Sequence, residues 1–427
     1  MSNAPFCFSY EFHPVGQGLF TSGSVRQDYR DEPLLQWVYD CGTSSSPGRT
    51  LIDDRIALMK RLAHDRYELD LVTVSHFDHD HISGICGLFG KHHVNTLMLP
   101  YMHLAERLLL AFEEGLSPDD ELMGFFVNPV AYLASAAEGD LDHVLFVLPS
   151  AGEGPPMPPG SPLTPDREEG HSALDFRSDN PSDGEDAGML DNCDGFPRVS
   201  WLAKGSAITW RGLWEFVPYN DDSAKCIPTG FVRSVREERG HLLQGKPDAE
   251  RAGALARLKQ LYLTQFGSGS EKRNVISLFL YAGPVYPSWR SVSLRQGAST
   301  WYALPWHSCS RPSAWYSSRF DGNASVLYSG DGYLDTEERL MRLVNYVRRE
   351  RIGRVGVFQV MHHGSKRNWH KGVADRITPQ FSIFSSDPHR KKWWHPHAAV
   401  LRDFWDYCPM QVDRNKSATV TGCLSRS

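Results

Sequence analysis

The apolar, β-branched run "LVTV" (71–74) leads straight into "SHFDHDHISGI", which holds His76, His79 and His81 with Asp78 and Asp80. A strand that reads as buried along its length is therefore expected to end in a crowd of ionisable groups. Burying such groups without partners costs roughly 2–7 kcal/mol for each neutral polar group and far more for a charge. A metal is the compensating element that this pattern calls for. Residues two apart in an extended segment point the same way, so His76 and Asp78 can converge on one ion. The chain then turns, and Asp80 and His81 can address a second.

Two neighbouring cations need an anionic ligand between them, and such a pair clamps both oxygens of an in-line phosphoryl displacement. Three later segments repeat the pattern of an apolar strand ending in chemistry. "SVLYSGDG" ends in Asp331 between two glycines, which allow close backbone approach. "VGVFQVMHHGSKRNW" ends in His362, His363, Gly364 and Ser365, and "WWHPHAAV" carries His395 and His397. Asp331 is expected to bridge.

Around these points the chain reads as strands alternating with helices, an α/β class of architecture. Its 427 residues, 41% hydrophobic, are ample for one large core. A single domain over 1–427 is expected, interrupted by an insertion at 101–200 and a charged, helical one at 221–270. Within the first, 151–200 is rich in Pro, Gly, Ser and acids, and reads as a disordered acidic loop. Helices are expected from Thr336 to Arg351 and from Ala398 to Tyr407, and strands over Val355 to Val360 and Phe381 to Ser385. No apolar run reaches the roughly 18 residues of a membrane span. The opening residues show no secretory signal, and the eight cysteines are scattered without a CxxC pair. A cytoplasmic location with reduced thiols is expected, with no membrane partner.

"SHFDHDHISG" resembles the HxHxDH signature of the metallo-β-lactamase fold, in the variant HxDxDH. "VGQG", "YDCG", "RNVISLFL", "LYSGDG", "VMHHGS" and the late "HP" follow in the order seen in the hydrolase domain of ComEC-type DNA-uptake proteins. The resemblance spans about residues 6 to 405, outside the two insertions. It implies an αββα sandwich with a dinuclear metal centre at one edge of the two sheets. Carried over by position, His76 and Asp78 serve one metal, Asp80 and His81 the other, Asp331 bridges, and His363 completes a site. His362 leans toward the substrate phosphate and His395 sits at the rim. The further histidine ligand that most of the superfamily places before the bridging aspartate has no clear equivalent; Asn274 stands in that region. Aspartate at position 78 favours harder ions such as Mn²⁺ or Mg²⁺ over Zn²⁺; the expected cofactor is two divalent ions, Mn²⁺ or Zn²⁺ with Mg²⁺ allowed.

The expected activity is a metal-dependent phosphodiesterase, with Asp80, His362 and His395 in catalytic roles. "HHGSKRNWHK" and "DPHRKKWWHPH" place Ser365, Lys366, Arg390, Lys391 and Lys392 beside the metals in a chain of net charge −6. Local cations and tryptophans there point to a nucleic acid substrate, DNA before RNA. The rivals are a hydrolase of a small phosphodiester or other ester, and a catalytically silent regulator of the same fold. A regulatory protein or protease acting on the 151–200 loop is a further expected partner. Among the duller readings, Asp40 serves as a structural carboxylate bonding loop amides, His92 and His93 lie on the surface, and the arginines of "RLMRLVNYVRRERIGR" form a solvated face. Trp289, Trp301, Trp306 and Trp315 read as loop packing.

Overall fold

Alternation in "FCFSYEF" sends Phe8, Tyr10 and Phe12 to one side of the first strand, where each is at most 2% exposed. Ser9 and Glu11 take the other side, as the two-residue period of a strand requires. The same logic builds two large sheets. The structure, a computed structural model, describes residues 6–27, 32–45, 48–62, 68–150, 152–158, 174–179, 197–221, 228–242, 248–266, 277–285, 292–298, 323–388 and 395–424.

Among the described residues the first sheet has ten strands and the second seven. In hydrogen-bonded order the first begins Val292–Ala298, Lys416–Leu424, Phe6–Phe12, Phe20–Gln27 and Leu35–Cys41, all antiparallel neighbours. From Leu35–Cys41 it continues in parallel through Leu71–Thr73, Leu97–Pro100, His143–Val147 and Arg198–Leu202, then closes with antiparallel Ser178–Asp179. In the second sheet Ile208–Trp210, Trp214–Asn220, Leu278–Pro284 and Ser325–Tyr328 are antiparallel. Val355–Gln359, Phe381–Ser385 and Pro409–Val412 then run parallel to one another and to Ser325–Tyr328.

One core lies between the sheets and joins Phe8, Tyr10, Trp37 and Tyr39 of the first to Trp214, Phe216 and Tyr328 of the second. The Tyr39 and Tyr328 rings stack at 4.7 Å, and the Tyr39 hydroxyl donates to the Leu278 carbonyl at 2.7 Å. Buried aromatic pairs of this kind add about 0.5–1.5 kcal/mol beyond their area. A second core covers the outer face of the first sheet with helices including Leu104–Glu113, Thr229–Leu242 and Asp248–Phe266. The third packs Glu337–Val347, Val373–Ile377 and Ala398–Asp403 on the second sheet.

Residues 101–150 thus supply helices of one core and His143–Val147, an interior strand of its sheet. The described parts of 151–200 are pinned. The Arg351 guanidinium donates to the Pro155 and Pro156 carbonyls at 2.8 and 2.9 Å, and Arg348 Nε to Pro155 at 2.7 Å. Asp175 bridges to Thr209. Arg351 corrects the reading of a solvated basic helix, since it is fully buried and pairs with both oxygens of buried Glu215. His92 is also buried, at 2% exposure, because it folds back under the helix Ile85–Phe89 and donates its amide to Leu88. The helix expected from 336 to 351 breaks at Arg348, whose φ is +78°. Among the described residues no helix is long and apolar enough to cross a membrane.

Candidate metal centre

The parallel-paired strands of both sheets end side by side. Leu71–Thr73 runs on to Ser75 and His76, Ser325–Tyr328 to Gly330 and Asp331, and Val355–Gln359 to His362 and His363. Ligand sites of open α/β sheets favour the carboxyl ends of strands. The Leu278 amide donates to the Ser75 carbonyl at 2.8 Å, and Ser277 Oγ accepts from the Asp331 amide at 3.2 Å, so the sheets meet here.

Glycines let the loops close on one another. A Cβ on Gly42 would stand 2.5 Å from the Asp80 and His81 backbone, and one on Gly18 would stand 2.4 Å from the Gly42 carbonyl. The "VGQG" and "YDCG" stretches therefore cradle the backbone of Asp80 and His81. Leu19 completes that cradle by donating its amide to the Asp80 carbonyl at 3.1 Å. His362 and His363 have φ of +45° and +56°, left-handed values that cost non-glycine residues of order 1–3 kcal/mol each. Strain held at two adjacent histidines is a mark of a functional segment.

The Nδ1 atoms of four histidines are all engaged by acceptors. His81 Nδ1 donates to Asp40 Oδ2 at 2.7 Å, and His363 Nδ1 to the Ser385 carbonyl at 2.5 Å. The Ser75 hydroxyl donates to Asp40 at 2.6 Å, so its oxygen accepts from His76 Nδ1 at 2.8 Å. His362 Nδ1 meets Asn368 Oδ1 at 2.8 Å. In the neutral form that a metal ligand takes, each ring so held turns an Nε2 lone pair toward the centre, as metal-ligating histidines do when an outer partner fixes the tautomer.

All four face Asp331. Its Oδ1 lies 3.1 Å from His81 Nε2 and 3.7 Å from His363 Nε2; its Oδ2 lies 3.4 Å from His362 Nε2 and 3.8 Å from His76 Nε2. Asp78 Oδ2 is 3.8 Å from His76 Nε2, and Asp80 Oδ2 is 3.4 Å from His363 Nε2. The Nε2 atoms of His76, His81 and His363 and the Oδ1 of Asp331 are buried without a well-formed hydrogen bond, the 3.1 Å approach of His81 being misaligned for one. Two overlapping groups, His76/His81/Asp331 and Asp80/His81/His363, bring their ligand atoms close enough to hold a metal ion.

Electrostatics sharpen the point. Burial, with the neighbouring His81, pushes His76 down to about 4, so its ring is neutral at pH 7. Burial also disfavours charge on His81 and His363, but Asp331 with Asp40 or Asp80 overrides it and raises both. The Asp80 and Asp331 carboxyls are held low by the surrounding histidines despite their burial. His76 remains the decisive case. Its buried lone pair faces carboxylate oxygens of Asp78 and Asp331 at 3.8 Å each, an arrangement that a bound cation would reconcile.

The other expected residues fall as follows. The His395 ring lies 6.0 Å from that of His362, at the same mouth. Ser365 is buried and its hydroxyl accepts from the Arg367 amide at 3.3 Å, capping a short turn; Lys366 and Arg367 are exposed. His79 is exposed, and His397 accepts from the Ala399 amide, capping the helix Ala398–Asp403. Arg390, Lys391, Lys392, Asn274 and the four tryptophans lie outside the described residues. Sequence reasoning missed the roles of Ser75 and Asn368, and saw Asp40 only as a loop carboxylate. Each acts on a histidine through a fold-dependent contact, and only the position of Asp40 at a strand end beside "CG" was a signal. The chain matches no family model, and a search of curated proteins finds no match.

Proposed function

We propose that the protein is a hydrolase of the metallo-β-lactamase superfamily, a dinuclear metal-dependent phosphodiesterase acting on DNA. The observation that carries this reading is the buried, unprotonated Nε2 of His76 facing two carboxylates. Layering of helices, two facing sheets and helices, with the cluster at one edge, supports the fold assignment.

In this reading His76 and Asp78 would hold one divalent ion and Asp80, His81 and His363 the other, with Asp331 within reach of both sets. Such ions supply Lewis acidity toward a phosphoryl oxygen and make water ionisable near neutral pH. Asp80, a fifth exposed, accepts a hydrogen bond from the attacking water and so orients it. His362, a third exposed, faces the substrate phosphate, and His395 behind it protonates the leaving oxygen. Exposed Lys366 and Arg367 give a polyanion a local landing place on a chain of net negative charge. Manganese or zinc suits this mixed imidazole and carboxylate set.

The test is to incubate purified protein and its Asp331→Ala variant with Mn²⁺, Zn²⁺ or Mg²⁺ and plasmid, single-stranded DNA, RNA or a chromogenic phosphodiester. Metal-dependent cleavage of DNA by the native protein alone is expected. Cleavage of the chromogenic ester without any of the polymers would move the substrate to a small phosphodiester. Absence of both would remove the phosphodiesterase reading.

A further inference from the structure

Asn368 is fully buried, six residues beyond His362, and its side chain touches both loops of the metal centre. Its Nδ2 lies 2.8 Å from the Asp331 carbonyl and 3.4 Å from that of Gly332. Both contacts are carbonyl oxygens, which only accept, so this end of the amide is the NH2 group. The other end is therefore the oxygen, 2.8 Å from His362 Nδ1. An amide oxygen cannot donate, so His362 must carry its proton on Nδ1. The Asn368 backbone adds a further tie, its carbonyl accepting from the Leu334 amide at 2.8 Å.

We propose that Asn368 is a positioning residue: it fixes His362 as the Nδ1–H tautomer, aims Nε2 at the metal centre, and couples the Asp331 loop to the His362–His363 loop. The inference deepens the phosphodiesterase reading and rests on it for the catalytic consequence alone. His362 differs from its three companions in a way that makes such an anchor matter. His76, His81 and His363 are at most 2% exposed and are locked by packing, whereas His362 is 32% exposed. Its ring has water on one side and left-handed backbone beneath it. Without an acceptor at Nδ1, the Asp331 carboxylate 3.4 Å from Nε2 favours the Nε2–H tautomer, which turns a donor toward the centre in place of a lone pair. Outer partners of this kind are typically worth about 10–100-fold in activity or metal affinity.

The experiment compares the full-length native chain with Asn368→Asp and Asn368→Leu, each labelled with 15N-histidine and recorded by NMR at alkaline pH. The native protein and Asn368→Asp, which keeps an acceptor, are expected to hold His362 as Nδ1–H. Asn368→Leu is expected to show the other tautomer or a mixture, with kcat about 10–100-fold down, KM changed less and bound metal retained. Should Asn368→Leu fail to fold, Asn368→Ala carries the same comparison. An unchanged His362 tautomer in the Leu or Ala variant overturns the proposal, as does equal loss of kcat in Asn368→Asp and Asn368→Leu with the same tautomer in both. The tautomer measurement needs no turnover. A native protein inert toward every phosphodiester would thus remove the hydrolase reading and still leave the role of Asn368 decided.

Discussion

Two of the clusters of buried charge among the described residues, around Arg351 and around Asp331, are built on opposite plans. Around Arg351 every group has a partner: Nε and Nη2 bind the two Glu215 oxygens at 2.9 and 2.8 Å, and the remaining donors reach the Pro155 and Pro156 carbonyls. Around Asp331 the outer atoms are paired and the inner ones are not; three Nε2 atoms face the two Asp331 carboxylate oxygens across 3.1–3.8 Å. A self-satisfied cluster has nothing left to bind with and serves the fold. A cluster that satisfies only its outside is pre-organised for something that arrives later. Charge and burial alone do not separate the two; the direction of the unpaired lone pairs does.

That contrast can be broken by mutation. Asp331→Ala should abolish hydrolysis, a loss of about 10³-fold or more given the size of metal and electrostatic contributions. It should also lower bound metal while leaving the metal-free protein as stable as native. A large drop in the unfolding midpoint of the metal-free variant would put the centre in the same structural class as Arg351. The converse substitution, Arg351→Met, strands the Glu215 carboxylate and should cost about 3–5 kcal/mol in urea unfolding. Its metal content should not move. Loss of metal on Arg351→Met would show that the two clusters are coupled.

Metal removal provides a gentler test. A chelator should lower the melting temperature, and restoring an ion to about 100 times its Kd should return about 2.7 kcal/mol. Adding Zn²⁺ at pH 7 to chelator-treated protein should release about one to two protons, because Asp331 with Asp40 or Asp80 raises His81 and His363 in the cation-free site. Calorimetry in two buffers of different ionisation enthalpy measures that release. Zero release would mean those rings are not ligands.

The last test concerns His13, a buried histidine outside the cluster. Burial, with Arg55 nearby, pushes it down to about 3 from an ordinary 6.5. A depressed folded-state value means that its contribution is fully present above about pH 6.5 and drains away as the pH falls toward 3, by at most about 1.4 kcal/mol per pH unit. His13→Asn should flatten the stability profile over that interval while the metal content stays constant. An unchanged slope would place acid sensitivity in the metal centre instead.

Much of the fold and of the centre is legible in the order of residues. Phe381–Ser385 falls where its apolar run was expected, and the strand expected over Val355 to Val360 is observed over Val355–Gln359. The helix expected over 398 to 407 is observed as Ala398–Asp403, shortened at its end. The expected convergence of His76, Asp78, Asp80, His81 and Asp331 followed from ionisable residues at the ends of apolar runs, and the choice of His363 followed from the family resemblance. Such runs must be buried, and polar residues at their ends must find a compensating partner. What misled was composition read locally. Arg351 sits in a basic helix and His92 in a polar turn, yet both are buried, because an Arg with a distant Glu215 or a histidine tucked under a helix leaves no periodic trace.

Residue type and strand periodicity thus pointed to the mixed α/β class and to most of the side chains that could hold a metal ion, His363 being singled out by the family resemblance. Only the tertiary structure decided which atoms of those side chains face inward. His81 takes its orientation from Asp40, 41 residues away, and His363 from the Ser385 carbonyl at the end of the next strand. A histidine's tautomer is set by whatever stands at its far nitrogen. For His81 and His363 that neighbour comes from another strand, a contact that no local pattern of residues encodes.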